Sequence, residues 1–210
     1  MRSILVDWIV DVHLKFRCVP ETLHLAVNII DRYLSTVEIT RDVLQLVGIT
    51  ALLLASKYEE IYPPEVKNCV MICQRAYTVQ QVLDMEADML GELSFNLTVP
   101  TGHPFLQRFL FITHATETMS IAANYYTERM LQEHESLKYR PSIIAAAAVC
   151  LAINHLELRE FDEIETAKPG VVRDRCFGSC RCYFTLSHLN SFTFSLSLKC
   201  LSTTPVSHQK

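Results

Sequence analysis

Glycine is scarce, with five residues in 210. A phosphate-cradling loop needs several glycines inside one turn, and no such cluster occurs, so nucleotide-loop chemistry is excluded. Long apolar runs are also missing. The longest, Ile143 to Ile153, has 11 residues, against about 20 for a bilayer-spanning helix, so no membrane association is expected. A basic excess is absent as well: the net charge is −4, and residues 1–160 hold 13 Lys and Arg against 19 Asp and Glu. That balance argues against nucleic acid as a partner. Asp7 and Asp11 interrupt the first apolar stretch, which does not suit a secretory signal. The eight Cys are therefore expected as reduced thiols, with Cys18, Cys69, Cys73 and Cys150 as small core or surface residues. No Ser/His/Asp or Cys/His set is recognisable. Glu59 and Glu60 do not form a catalytic acid pair, because adjacent helix residues point about 100° apart.

What the chain does have is apolar helix. Half of it is hydrophobic, enough to bury about 70% of the unfolded surface. Leu44, Leu46, Val47, Ile49, Ala51, Leu52, Leu53, Leu54 and Ala55 leave almost no polar face on a helix expected from Thr40, its N-cap, to Glu60. A helix apolar all round must be enclosed by others. It ends in a charged tip, Ser56-Lys57-Tyr58-Glu59-Glu60, before Pro63-Pro64. Around it the spacing predicts an amphipathic helix over Met1–Phe16, with Ile4, Leu5, Trp8, Ile9 and Val12 on one side, and another over Pro20–Ser35. A short helix is expected from Pro64 to Ile72, and a fifth from Thr78 to Leu93, opened by the capping box Thr78-Val79-Gln80-Gln81.

Phe95 to Thr101 breaks the period and reads as an extended linker. Helices follow over His103–His114 and Glu117–Glu135, and from Pro141 the run SIIAAAAVCLAINHL is again apolar on nearly every side. It starts 100 residues after the first apolar rod, Arg140 against Thr40, which indicates a structural repeat. Beyond Leu156 the pattern changes. Cys176, Cys180 and Cys182 cluster in a spacing that fits no common zinc site, so no metal is expected. Ser191–Lys199 alternates like a strand. This tail reads either as a β-like appendage or as sequence foreign to the fold, and the missing helices of the second repeat favour the latter. The chain opens inside a helix, which reads as a truncated N-terminus.

MRSILVDW at 1–8, ETLHLAVNIIDRYL at 21–34, LQLVGITALLLASKYEEIYPPEV at 44–66, the pair Met85-Glu86, and LTVPTGHPFLQRFL at 97–110 together resemble the cyclin family, in a form similar to B-type more than A-type mitotic cyclins. The resemblance is dense over 1–110 and weaker over 111–156. It implies an all-α fold of tandem five-helix cyclin boxes: a complete one over 1–96, a partial one over 97–156, and a divergent segment over 157–210.

The resemblance further implies a regulatory subunit rather than an enzyme, one without a cofactor. Such a subunit binds and activates a cyclin-dependent kinase at the G2/M transition, in the nucleus and cytoplasm. Lys57 and Glu86 match the polar kinase contacts, with Tyr58 and Ile61 adding apolar contact. Met1, Ile4, Leu5 and Trp8 match an exposed groove that takes Arg-x-Leu segments of substrates or inhibitors. Asp11 is at the position that meets the Arg, and Arg41 and Gln45 are at those that hold the peptide backbone. From the residues alone, Lys57 is a cation at a helix C-terminus, Glu59 and Glu60 are its solvated neighbours, and Glu86 is a surface acid. The alternative function is a helical adaptor of the transcription-factor type that carries the same repeats and binds nucleic acid or protein.

Overall fold

A computed structural model describes residues 1–165, with side chains as far as residue 156. The strand pattern at 191–199 and the cysteine cluster at 176–182 lie outside the described residues. Those that are described form α1 (Arg2–Phe16), α2 (Pro20–Thr36), α3 (Leu44–Glu59), α4 (Val66–Ile72), α5 (Val79–Glu92), α6 (Gly102–Ile112), α7 (Glu117–Gln132), a 3-10 turn over His134–Lys138, and α8 (Pro141–Glu165).

The apolar run in α3 sets the arrangement. Every residue from Leu46 to Ser56 is buried, and α1, α2, α4 and α5 surround the helix. Fully enclosed side chains such as Ile49, Leu52 and Leu53 each contribute about 1.5–3 kcal/mol. Gly48 brings α1 unusually close. A Cβ at this position would sit 2.7 Å from Leu5 Cδ1 and 3.3 Å from Ile9 Cδ1, so the missing side chain is what lets Leu5 and Ile9 pack onto the rod.

The short connections follow local chemistry. Arg17 ends α1 in the left-handed region at φ 56, its N–H turned back to His13 and Leu14 carbonyls. Pro20 stands at the first position of α2. Both arms of the Thr78 capping box form: Gln81 N–H donates to Thr78 Oγ1 at 3.2 Å, and Thr78 N–H to Gln81 Oε1 at 2.8 Å. Ser94 and Phe95 stop α5 with two successive left-handed residues, φ 50 and 57.

The helix expected from Pro64 starts at Val66 and the one expected to reach His114 ends at Ile112; three other boundaries move further. Thr40 does not cap α3. Its hydroxyl turns to Asp42 at 3.4 Å, residues 40–43 form a turn closed by Val43 N–H to Thr40 O at 3.2 Å, and the helix begins at Leu44. A short Asx partner thus outcompetes the cap. The helix expected over Glu117–Glu135 ends at Gln132, because the following turn tightens to 3-10. The last apolar helix continues past Leu156 to Glu165. It is also not enclosed all round: Ala145, Val149 and Ala152 pack with Leu106, Leu110 and Ala123 and Ala148 is buried beside them, while Ile143 is 41% exposed.

Several polar contacts join the first five helices to the later ones, among them Gln132 Nε2 donating to Asp7 Oδ1 at 2.8 Å. Arg2 donates to both carboxylate oxygens of Asp31 on α2, at 2.5 and 2.8 Å, and to the Gln132 carbonyl at the end of α7, at 3.2 Å. Between α2 and α6, the buried rings of His24 and His103 lie 5.7 Å apart. Gln107 donates to His103 Nε2 at 3.1 Å. Glu21 Oε1 comes within 3.0 Å of His103 Nδ1.

Burial, then the neighbouring His103 and His13, push His24 from its ordinary 6.5 down to about 3. Such a base takes its proton only on unfolding, so its effect is absent above pH 6.5 and increasingly destabilising as the pH falls from there toward 3. Urea denaturation at pH 5 should therefore show about 2 kcal/mol less stability than at pH 7 from this group. His24→Leu should remove that part of the difference; an identical pH dependence in the variant would contradict the assignment.

Candidate functional site

The tip of α3 emerges from the core at Lys57. Its Nζ donates to both carboxylate oxygens of Glu86 on α5, at 2.5 and 2.8 Å, with the Lys57 side chain 43% and Glu86 12% exposed. Sequence reading placed these two residues in one functional set, and the structure brings them into direct contact. Beside them, the hydroxyls of Tyr58 and Thr98 share a 2.6 Å hydrogen bond, which attaches the tip to the linker after α5. Ile61 is 86% exposed. The site is therefore a pair of opposite charges, each able to open toward a partner's backbone donors and acceptors, beside side chains with no protein cover.

Three nearby residues were missed by the sequence reading. Tyr62 and Phe95 are 90% and 74% exposed. Phe95 stood out only as an aromatic inside a period-breaking stretch, and Tyr62 only as an aromatic before two prolines. Glu60 is not a solvated neighbour. Val19 N–H and the Thr22 hydroxyl both donate to its Oε1, at 2.7 and 2.6 Å. No local signal announces a bond between residues 41 apart.

The second set lies at the other end of the rod. Met1 and Ile4 are exposed, Trp8 is half-buried, and Asp11 is exposed with no partner among the described residues. Leu5 departs from the expectation of an exposed groove residue. It is 6% exposed, because Gly48 draws it into the α1–α3 contact, so it forms floor rather than rim. Gln45 stands three residues before Gly48 on α3, one helical turn away. Arg41 is exposed and belongs to the turn ahead of α3 rather than to the helix. α1 packs on α3 through Leu5 and Ile9 at Gly48, and Ile4, Trp8 and Asp11 follow one another at about one turn along α1.

Nothing in either set resembles a reacting centre. Burial pushes the Cys69 thiol up to about 12 and Cys73 to about 11, so neither is a nucleophilic thiolate. Among the described residues no group of three or more His, Cys, Asp or Glu could hold a metal ion, and no helix is long and apolar enough to cross a membrane.

Comparison with known proteins settles the lineage. Residues 1–98 match the family described as "Cyclin, N-terminal domain", and residues 100–167 match "Cyclin, C-terminal domain". The chain belongs to the cyclin family. It is 49% identical to Cyclin-B1-3 of Arabidopsis thaliana over 152 residues, which cover 72% of this chain and 37% of that cyclin. It is 48% identical to the G2/mitotic-specific cyclin S13-7 of Glycine max, covering 72% of this chain and 59% of the relative. The chain thus spans less than two thirds of the length of either cyclin. Among solved structures, the viral cyclin from herpesvirus saimiri has the same fold, with a TM-score of 0.67 at 23% identity over 72% of this chain and 68% of the other. Among the described residues the all-α reading stands, and so does the resemblance to B-type cyclins.

In this cyclin the Lys57–Glu86 pair is open to solvent on the lysine side, and exposed pairs of this kind contribute only about 0–1 kcal/mol to stability. Thermal denaturation of Lys57→Ala with Glu86→Ala should therefore fall within about 1 kcal/mol of wild type. A loss of several kcal/mol would show that the pair is structural instead.

Proposed function

We propose that this cyclin is the regulatory subunit of a cyclin-dependent kinase, of B type and acting at the G2/M transition. The Lys57–Glu86 pair carries the reading. It stands where the buried rod surfaces, both charges are satisfied only by each other, and exposed apolar residues flank it. A kinase backbone segment would replace one mutual ion pair with charge-assisted hydrogen bonds of both signs: Lys57 donating to carbonyls, Glu86 accepting from N–H groups. Parting the pair is eased by the solvent open to the Lys57 side. Tyr58 and Ile61 would supply the apolar area.

Activation would be a population shift. A subunit that binds only the inward position of the kinase's mobile αC helix favours that position by its differential affinity. The inward helix completes the kinase's own Lys–Glu ion pair and repositions its activation loop. Catalysis, with its ATP and magnesium, belongs to the kinase.

The α1–α3 contact supports substrate docking. An Arg-x-Leu segment would place its Leu over Met1, Ile4 and Trp8, above the Leu5 floor. Its Arg would lie against Asp11, and Arg41 and Gln45 would hold its backbone. Exposed apolar side chains next to an unpaired acid fit that ligand. Nuclear and cytoplasmic residence belongs to the same proposal.

Two separations test it. Lys57→Ala with Glu86→Ala should abolish co-purification with a cyclin-dependent kinase catalytic subunit, and with it histone phosphorylation, while far-ultraviolet circular dichroism stays unchanged. Retained kinase activity in that variant would refute the assignment. Trp8→Ala should leave kinase binding intact but weaken an Arg-x-Leu peptide by about thirtyfold, the scale of about 2 kcal/mol for a buried aromatic anchor. Unaltered peptide affinity would refute the groove.

A further inference from the structure

Glu60 is the first residue after α3. Its backbone still closes the last turn, with N–H to Ser56 O at 2.9 Å. Its side chain leaves α3 for the start of α2, where Val19 N–H and the Thr22 hydroxyl donate to Oε1. Val19 is the N-cap of α2 and offers no side-chain cap of its own. Glu60 therefore accepts from the N-cap N–H, as the third-residue acid of a capping box would, and places a negative charge at the positive end of the helix dipole.

Beyond a long Cys18–Ser56 contact at 3.8 Å, three side-chain contacts hold the tip of α3: Lys57 to Glu86 on α5, Tyr58 to Thr98 in the linker, and Glu60 to α2. The first two use residues that the functional reading assigns to the kinase, or that stand beside them. They are rearranged or covered when a partner arrives. The third points the other way. Thr22 is wholly buried, so no partner reaches it. It is the contact that can persist while Lys57 and Glu86 part.

We propose that Glu60 is a positioning residue for kinase binding: by tying the end of α3 to the start of α2, it holds Lys57 and Tyr58 in the pose a partner meets. This inference rests on the kinase-binding reading. Without the anchor, a partner that parts Lys57 from Glu86 leaves the turn from Ser56 to Glu60 with its own backbone bonds, the Tyr58–Thr98 contact and the long Cys18–Ser56 contact. Exposed Ile61 and Tyr62 and two prolines follow it, so it frays. Apparent affinity falls by the fraction of molecules left in the competent pose.

The test uses the full chain and a purified cyclin-dependent kinase catalytic subunit, with affinity measured by calorimetry well below the melting temperature. Amide hydrogen exchange is followed in parallel on the unbound chain. Glu60→Ala should weaken binding about tenfold, the order expected for losing hydrogen bonds to a charged acceptor. Thr22→Val, which keeps shape and removes only a buried hydroxyl, should weaken it about threefold. Glu60→Gln retains an acceptor oxygen and should recover part of the loss. Exchange should quicken at 56–60 and not at the centre of α1. In a Lys57→Ala background, Glu60→Ala should have little further effect, since residues acting through one another are not additive.

A merely structural role would lower the melting temperature and quicken exchange throughout, with affinity unchanged. Thr22→Val and Glu60→Ala binding like wild type, or effects that simply add, would overturn the proposal. Should Glu60→Ala fail to fold, Thr22→Val alone decides. A wild-type chain that binds no kinase removes the functional reading and this proposal with it. Wild-type binding with unaffected variants removes this proposal alone.

Discussion

An α-helix with no polar face has to be surrounded, and α3 imposes that condition on everything near it. Leu46 to Ser56 are buried without interruption, so four neighbours must close over the helix, and the lone Gly48 determines how near α1 can come. Because burial leaves the rod no freedom to turn, its two ends are fixed relative to each other. Polar residues can then be presented at each end with little further ordering. The residues proposed to bind partners lie at these ends, and the enclosed middle holds them apart.

The two ends are prepared differently. At the Lys57 end the two charges neutralise each other. At the α1 end Asp11 is unpaired and Met1 and Ile4 are bare. The first arrangement favours a partner that presents backbone groups of both signs. The second favours a short segment with one cation and one apolar residue. The contacts that hold these surfaces still are less visible. Arg2 links α1 to Asp31 on α2 and to the end of α7, and Glu60 links the end of α3 to the start of α2. Each is a charge that satisfies backbone or hydroxyl groups on another helix, where its loss would leave partly buried polar groups without partners.

Much of this was legible before the structure. The apolar run of α3 could only be an enclosed helix, the Thr78–Gln81 capping box marked α5, and Lys57 and Glu86 stood out through the cyclin resemblance. The less legible features depend on competition or on distance. Thr40 looked like a cap until Asp42 took its hydroxyl. Leu5 looked like a groove residue because Gly48, 43 positions later, gives no local sign of the space it frees. The alanine-rich pattern of α8 suits both an enclosed helix and a half-covered one, since small side chains carry little periodic signal. Glu60 beside Glu59 read as surface charge because its partners belong to a different helix.

The central claim is that one buried helix carries a kinase-binding surface at its C-terminal end and a separate docking surface at its N-terminal end. Amide hydrogen exchange, with and without a cyclin-dependent kinase catalytic subunit and then with an Arg-x-Leu peptide, tests it directly. The kinase should protect amides around 57–62, 86 and 95–98 and leave those around 4–11 and 41–45 unchanged, while the peptide should do the reverse. Kinase protection centred on 4–11 and 41–45, or overlapping footprints for the two ligands, would contradict it.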